Sequence, residues 1–458
     1  MKEQKENTSV PSGSEKLLEQ IASLFIIVNN MKYLITLCLG FIILISCNSK
    51  PSKSATITEA ESEENEDTLF RVIDLANNMN PCDDPLLLSD IVSDVEYVKL
   101  ETTDDCLVGE LNNGYVCDSA IFYTCYGGPW RPHIFMFHRS SGKFIRTLGK
   151  SGQGPGEMFA PSAVKAKDGQ VYLSSHYRDG LFAYKINNGE FVRYIPLNRP
   201  HASAPYYYIG DNRVVHFPFM DYQNYTMYDM SIQDFDGNLI KEQIPDIDYT
   251  GFDNNNRPGL KAQPPVWSYK NCPNVYSDFT DTIYAAIDDS IRPRYLISLG
   301  KYDCPPELKA GPEWKKYIIF DRFWETKEYL LGSFCLKQKG WFFRYDKKSK
   351  EIKTWEQDAT IIQVSWLPNN DLLGWRVETS AGITNDIDGC SNSLRAMEYI
   401  SERQFVICIT PDNVDKIRKI VAESLNVKFP EKRKRLLELM DSLGPDDNPI
   451  LAIYTLKD

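Results

Sequence analysis

Residues His133–Glu157 read HIFMFHRSSGKFIRTLGKSGQGPGE. A strand-like run, HIFMFH, meets a turn at Arg139–Gly142, and a second run, KFIRTLG, leads into a glycine-rich exit. Alternation of apolar and polar residues marks half-buried strands, whose side chains point to opposite faces in turn. The same strand–turn–strand unit returns in Val171–Leu197 around Asn188-Gly189 and in Met227–Ile244 around Asp236-Gly237. It returns again in Asp281–Gly300 around Asp289-Ser290 and in Gly340–Glu356 around Lys347–Ser349. Gly114–Tyr126 reads as a further hairpin turning near Asp118-Ser119, while Ile361–Glu378 and Glu398–Thr410 end the series. The turn glycines Gly142, Gly189 and Gly237 lie about 47 residues apart, the length of one four-stranded propeller blade. Residues 90–410, at about 50 per blade, give six or seven blades, and six fits better because two insertions break the rhythm. The expected fold is all-β: a six-bladed β-propeller with short helical insertions and C-terminal helices. Such a ring has to close, and the runs VEYVKLE (Val95–Glu101) and ILAIYTL (Ile450–Leu456) are placed to share a blade. Asn188-Gly189 predicts a type I′ turn, which needs positive φ.

Two regions break the strand pattern. Pro312–Gly332 has mixed helical spacing around Trp314, Tyr317, Phe320, Trp324 and Leu330-Leu331. Asp412–Asn426 and Glu431–Leu443 read as helices. In the first of these, Asn413 is placed to cap, and Val414, Ile417, Ile420, Val421 and Leu425 form an apolar stripe.

The first 68 residues divide into three parts. Met31-Lys32 and the apolar run Leu34–Ile45 have the build of a signal peptide, too short for a membrane-spanning helix. Translation is therefore expected to start at Met31, with residues 1–30 a non-native extension and 31–46 the signal. Leu44-Ile45-Ser46-Cys47 resembles the bacterial lipobox, which implies that Cys47 is lipidated and becomes the mature N-terminus. Residues 47–68 are polar and then acidic, a disordered tether with a reach of roughly 25 Å. The propeller is expected to occupy residues 69–458.

Composition narrows the function. The net charge of −12 argues against a nucleic-acid partner, which needs a basic face. Only Lys432–Arg435 is locally basic. Tyr and Phe are abundant, at 26 and 22, as suits pleated surfaces. Of the 11 cysteines, Cys38 and Cys47 fall in the leader, and the remaining nine form no C-x-x-C pair. That spacing argues against a zinc site and leaves any disulfide pairing open.

Three motifs invite chemistry. GKSGQGPGE (Gly149–Glu157) suggests a phosphate loop but lacks the preceding glycine and a following helix, so it reads as a turn that presents Gln153 and Glu157. NDIDGC (Asn385–Cys390) and DFDGN (Asp234–Asn238) resemble parts of calcium loops, but neither has the required residues at positions one and twelve. Asn385, Asp386 and Asp388 remain candidates for a ligand hydroxyl or cation. The aromatic stretches Tyr123–His133, Pro205–Gly210 and Phe217–Met230 set rings beside amides, carboxylates and Arg, and Trp130 and Arg131 are candidates for ligand contact. Such platforms hold sugars or peptides, although packing between blades is the default for rings in β-rich folds. The five histidines show no ligand spacing. No catalytic residue, metal or cofactor is nominated.

Val98–Glu110, Gly142–Met158, Arg294–Tyr302, Ile383–Cys390 and Asp446–Asp458 together resemble the six-bladed β-propeller lipoproteins of Bacteroidota. GQGPGE and NDIDG are the most specific pieces, and Cys390 stands where that pattern carries glycine. The resemblance implies a propeller in the cell envelope, held to the membrane by its N-terminal lipid on the periplasmic or surface side of the outer membrane. The leading functional expectation is a non-catalytic module binding a glycan, a peptide or an envelope protein. The alternatives are a lyase or hydrolase acting on a polysaccharide or peptide, and a structural subunit of an outer-membrane assembly.

Overall fold

Six four-stranded antiparallel sheets follow one another along the chain, and each is a blade of a six-bladed β-propeller. In the computed structural model, residues 70–457 are described, apart from 109, 127–131, 151, 160, 176–177, 199–206, 218, 222–225, 229, 245–264, 306–307, 309–315, 366–371, 380–382, 391–397, 402 and 425. Blade one comprises Glu110–Val116, Ala120–Tyr126, Pro132–His138 and Phe144–Leu148, from the inner strand outward. Blade two is Pro161–Lys167, Gln170–Ser175, Arg178–Lys185 and Phe191–Pro196; blade three is Tyr207–Ile209, Arg213–His216, Met230–Asp234 and Leu239–Gln243. Blade four is Val266–Tyr269, Cys272–Ser277, Thr282–Ile287 and Ser290–Ser298. Blade five is Ile319–Glu325, Tyr329–Leu336, Lys339–Asp346 and Ile352–Ser365, and Leu372–Thr379 pairs with the far half of that last strand.

Closure follows the expected route. Blade six takes Glu398–Ser401, Gln404–Ile409 and Ile450–Leu456 from the C-terminal part, and its outer strand is Val92–Lys99. Tyr97 pairs with Ala452 and Val98 with Leu451, so N-terminal and C-terminal strands complete one sheet. A sheet edge left open would expose unpaired backbone groups, and ring closure removes that liability. Ahead of this strand, residues 70–91 run along the outside of blades four and five. Arg71–Asp74 adds a parallel fifth strand to blade four, and Pro81 bridges to Thr354 of blade five. Ile73, Leu75, Leu86 and Leu88 are buried on the way, each worth about 1.5–3 kcal/mol.

The repeated turns have a common geometry. The loops after His138, Lys185 and Asp234 each place one glycine in the left-handed region, Gly142 (φ 68°), Gly189 (φ 73°) and Gly237 (φ 90°). Blade five puts Lys350 (φ 64°) at the matching place. Each glycine lies against the outer strand of the preceding blade: Gly142 on Lys99, Gly189 on Arg146 and Leu148, Gly237 on Pro196. A Cβ at Gly142 would sit 2.0 Å from the Lys99 carbonyl oxygen. The 47-residue repeat is therefore a docking repeat as well as a turn repeat. Asn188 keeps negative φ, so the expected type I′ turn is instead a longer loop ending in a left-handed glycine. Paired left-handed residues occur at Asp168-Gly169, Lys270-Asn271 and Lys337-Gln338.

Pro312–Gly332 corrects the sequence reading. Its described part from Ile319 onward forms the inner strand and start of the second strand of blade five. A β-bulge between Phe320 and Arg322 shifts the alternation, so Phe320 and Phe323 both enter the core three residues apart. That spacing imitates a helix. The two C-terminal helices are present as α1 (Val414–Glu423) and α2 (Pro430–Asp441), inserted between the second and third strands of blade six. Val414, Ile417 and Val421 are buried as the stripe requires. Asn413 does not cap α1 with its side chain: its Oδ1 accepts from the Thr410 amide (2.9 Å) and its Nδ2 donates to the Cys408 carbonyl (3.1 Å). Cys82, Cys106, Cys117, Cys272, Cys304, Cys335, Cys390 and Cys408 are free thiols, with Cys106, Cys304, Cys335 and Cys390 buried.

Candidate functional site

Antiparallel order places the connections of every blade at two opposite ends, and the ends differ. At one end the turns are short: residues 168–169, 210–212, 270–271, 288–289 and 326–328 join first to second strands or third to fourth, and 139–143, 186–190 and 347–351 are the longest. At the other end the chain leaves Lys99, Leu148, Pro196, Gln243 and Ser298 to link one blade to the next. The extra hairpin Phe219–Asp221/Thr226–Tyr228 of blade three and both helices of blade six also leave from this end. Aromatic residues follow the same division. Among the described residues, Phe235 is the one ring in the short turns, whereas Phe159, Phe217, Phe279, Tyr302 and Tyr317 lie in connections at the long-loop end. A scaffold needs only short polar turns to reverse its strands; long aromatic connections carry recognition.

The short-turn end is braced by charge. Arg139 binds Glu96 across blades six and one, and Arg146 donates to the Asn187 carbonyl (3.1 Å) across one and two. Lys167 pairs with Asp211 across two and three, Arg213 with Asp289 (2.6 Å) across three and four, and Arg344 with Asp90 (3.1 Å) beside blade six. Across four and five the contact is buried. Glu325 is fully enclosed and takes Arg294 (2.8 Å) and Lys347 (2.8 Å), with Trp267 Nε1 donating at 2.9 Å. Burial opposes ionisation of Glu325, but the two cations overcome it and hold its pKa down to about 2. Asn274 Oδ1 accepts from Arg294 (2.6 Å), and Lys347 also donates to the Thr326 carbonyl (2.7 Å). A carboxylate committed to this many partners is a strut between blades. Nothing in the sequence marked it, because its members come from four strands and two turns of two blades.

The sequence candidates separate. Residues 149–159 form a closed loop at the long-loop end: Met158 donates to the Lys150 carbonyl (2.8 Å), and Glu157 to that of Gly154 (3.0 Å). The Glu157 carboxylate turns inward and accepts from the Gly154 amide (2.9 Å), while Tyr184 Oη donates to the Gly156 carbonyl. Glu157 thus shapes the loop, and Gln153 stands exposed at its tip beside exposed Pro155. Phe159 is also exposed. Trp130 and Arg131 lie outside the described residues, but their flanking strand ends, the paired Tyr126 and Pro132, belong to this same end of blade one. Cys47 and the leader also lie outside the described residues.

Asn385, Asp386 and Asp388 are elsewhere, at the outer side of blades five and six, and all three are buried. Asp386 accepts from the Ser89 amide (2.9 Å) and Ser89 Oγ (2.6 Å), with Lys428 beside both. Asp388 accepts from Tyr97 Oη (2.6 Å), Tyr454 Oη (2.9 Å), Asn385 Nδ2 (2.9 Å) and the Cys390 amide (3.0 Å). The acidic turn is therefore a clasp between N- and C-terminal segments, its acceptors taken up inside the protein. Ser89, Lys428 and Asp386 superficially resemble a nucleophile with its base. Lys428 is largely exposed and acts as a donor to both partners, whereas a general base must offer a lone pair. Among the described residues, no three His, Cys, Asp or Glu side chains are grouped to hold a metal ion.

Comparison with known proteins agrees with the architecture. The crystal structure of an inferred exported protein of Bacteroides fragilis is similar at 15% identity, with TM-score 0.54, over 85% of this chain and 100% of that one. A DUF4221 family member from Bacteroides vulgatus is similar at 10% identity and TM-score 0.39, over 80% and 97%. At 15% identity the likeness to the Bacteroides fragilis protein concerns fold alone. No curated protein matches the sequence. A family described as a domain of unknown function, DUF4934, matches residues 70–455, the whole ring from its strap to its last strand; the chain belongs to that family.

Proposed function

We propose that the protein is a lipid-anchored propeller of the bacterial cell envelope that serves as a non-catalytic ligand- or protein-binding module, with the long-loop end as its binding face. The observation that carries this reading is the division between the two ends: short, polar, charge-braced turns at one, and at the other the longer connections that link blade to blade, with their described rings Phe159, Tyr302 and Tyr317. Gln153, Trp130 and Arg131 are the proposed contacts. Glu157 supports Gln153, and Asn385, Asp386 and Asp388 serve closure. The lipobox-like Leu44–Cys47 supports the anchor at Cys47, and the similar Bacteroides fragilis protein, inferred to be exported, supports an envelope address. Among the described residues no helix is long and apolar enough to cross a membrane.

A binding screen of residues 69–458 against glycans and peptides tests the face. Binding should weaken at least tenfold in Trp130→Ala and Gln153→Ala and persist in Ser349→Ala at the short-turn end. Chemical conversion of a bound glycan or peptide would instead establish the enzyme reading. Incorporation of labelled palmitate that disappears in Cys47→Ala tests the anchor separately.

A further inference from the structure

At the closing blade, a fully buried carboxylate holds the two ends of the ring together without a cation. Asp388 receives hydrogen bonds from Tyr97 on the N-terminal strand, Tyr454 on the C-terminal strand, Asn385 and the Cys390 amide. The charged and titratable groups around it are committed elsewhere. On the outer strand, Asp94 is held by Lys432 of α2, and Lys99 by Asp447 (2.8 Å). In the acidic turn, Asp386 is held by Ser89 and Lys428, and the Cys390 thiol is fully buried. The remaining titratable neighbours are the hydroxyls of Tyr97 and Tyr454.

We propose that Asp388 is a proton-operated latch on the closing blade: taking up a proton draws strand Val92–Lys99 more firmly onto Ile450–Leu456, and losing it loosens them. An ionised carboxylate out of water is costly when only neutral groups face it. A protonated one can donate its own hydrogen to a tyrosine oxygen, which accepts as readily as it donates, so every contact survives. Burial accordingly raises the Asp388 pKa above the usual carboxylate range, and the four donors offset only part of that rise. With the folded pKa above the unfolded one, the contribution of this group is full at low pH and is lost as pH rises through the folded value.

Cys390, inside the latch, reports its opening. The rate at which a neutral thiol reagent modifies Cys390 in the full chain would be followed by peptide mass spectrometry from pH 4 to 8. The same series in Asp388→Asn gives a ratio at each pH from which the ionisation of the thiol cancels. The wild-type to variant ratio should rise several-fold across the series; a constant ratio overturns the proposal. Tyr97→Phe removes one donor to the carboxylate and should move the midpoint of the rise to higher pH. An unmoved midpoint also overturns it, and this arm stands by itself if Asp388→Asn does not fold.

Discussion

Two buried carboxylates, Glu325 between blades four and five and Asp388 in the closing blade, meet the same loss of water and respond in opposite directions. Glu325 faces Arg294 and Lys347 and stays ionised down to a pKa of about 2. Asp388 faces two hydroxyls, an amide side chain and a backbone amide, and its pKa rises. Hydrogen bonds from neutral donors therefore do not replace a counter-charge in a closed site. The first seam is locked by charge and the second by a group that gains from neutrality. One ring thus contains two joints with opposite dependence on acid.

Glu325→Gln should have the largest effect, because it leaves Arg294 and Lys347 buried without a counter-charge; a loss of about 3–5 kcal/mol in urea unfolding is expected. Replacing Gly142 by Ala should come next, at about 1–3 kcal/mol, from a left-handed φ and a Cβ forced onto the Lys99 carbonyl. For acid, the sign differs between joints. The Glu325 contribution is present above the ordinary carboxylate pKa and is lost as pH falls toward about 2. Asp388→Asn should be the mildest of the buried changes, within about 1 kcal/mol at pH 7, because it removes an uncompensated charge and keeps the shape. If Glu325→Gln and Asp388→Asn cost the same at pH 7, the contrast between the joints fails. Gln153→Ala should leave stability unchanged to within about 0.5 kcal/mol, as an exposed loop tip.

The fold was legible where alternation was regular. HIFMFH and KFIRTL, VEYVKLE and ILAIYTL each announce a strand, and the glycine spacing counts the blades. Blade five's inner strand was hidden, since the bulge beside Asp321 makes Phe320 and Phe323 look helical. The strap strand Arg71–Asp74 was hidden too, because four residues hold too little pattern to recognise. The site was legible only as composition. Aromatic stretches could be seen, but which end of the ring a connection joins depends on strand direction, which sequence leaves implicit. Asn385–Asp388 looked like a ligand turn because its acidity is local, while the partners that enclose it, Ser89, Tyr97, Lys428 and Tyr454, are distant in sequence.

The binding claim rests on the contrast between the ends, and hydrogen–deuterium exchange tests it most directly. The body, residues 69–458, would be measured with and without a saturating ligand taken from the screen. Protection is expected in peptides covering residues 127–131, 149–160 and 217–229, with those covering 139–143, 186–190 and 347–351 unchanged. Protection confined to the short turns would contradict the account.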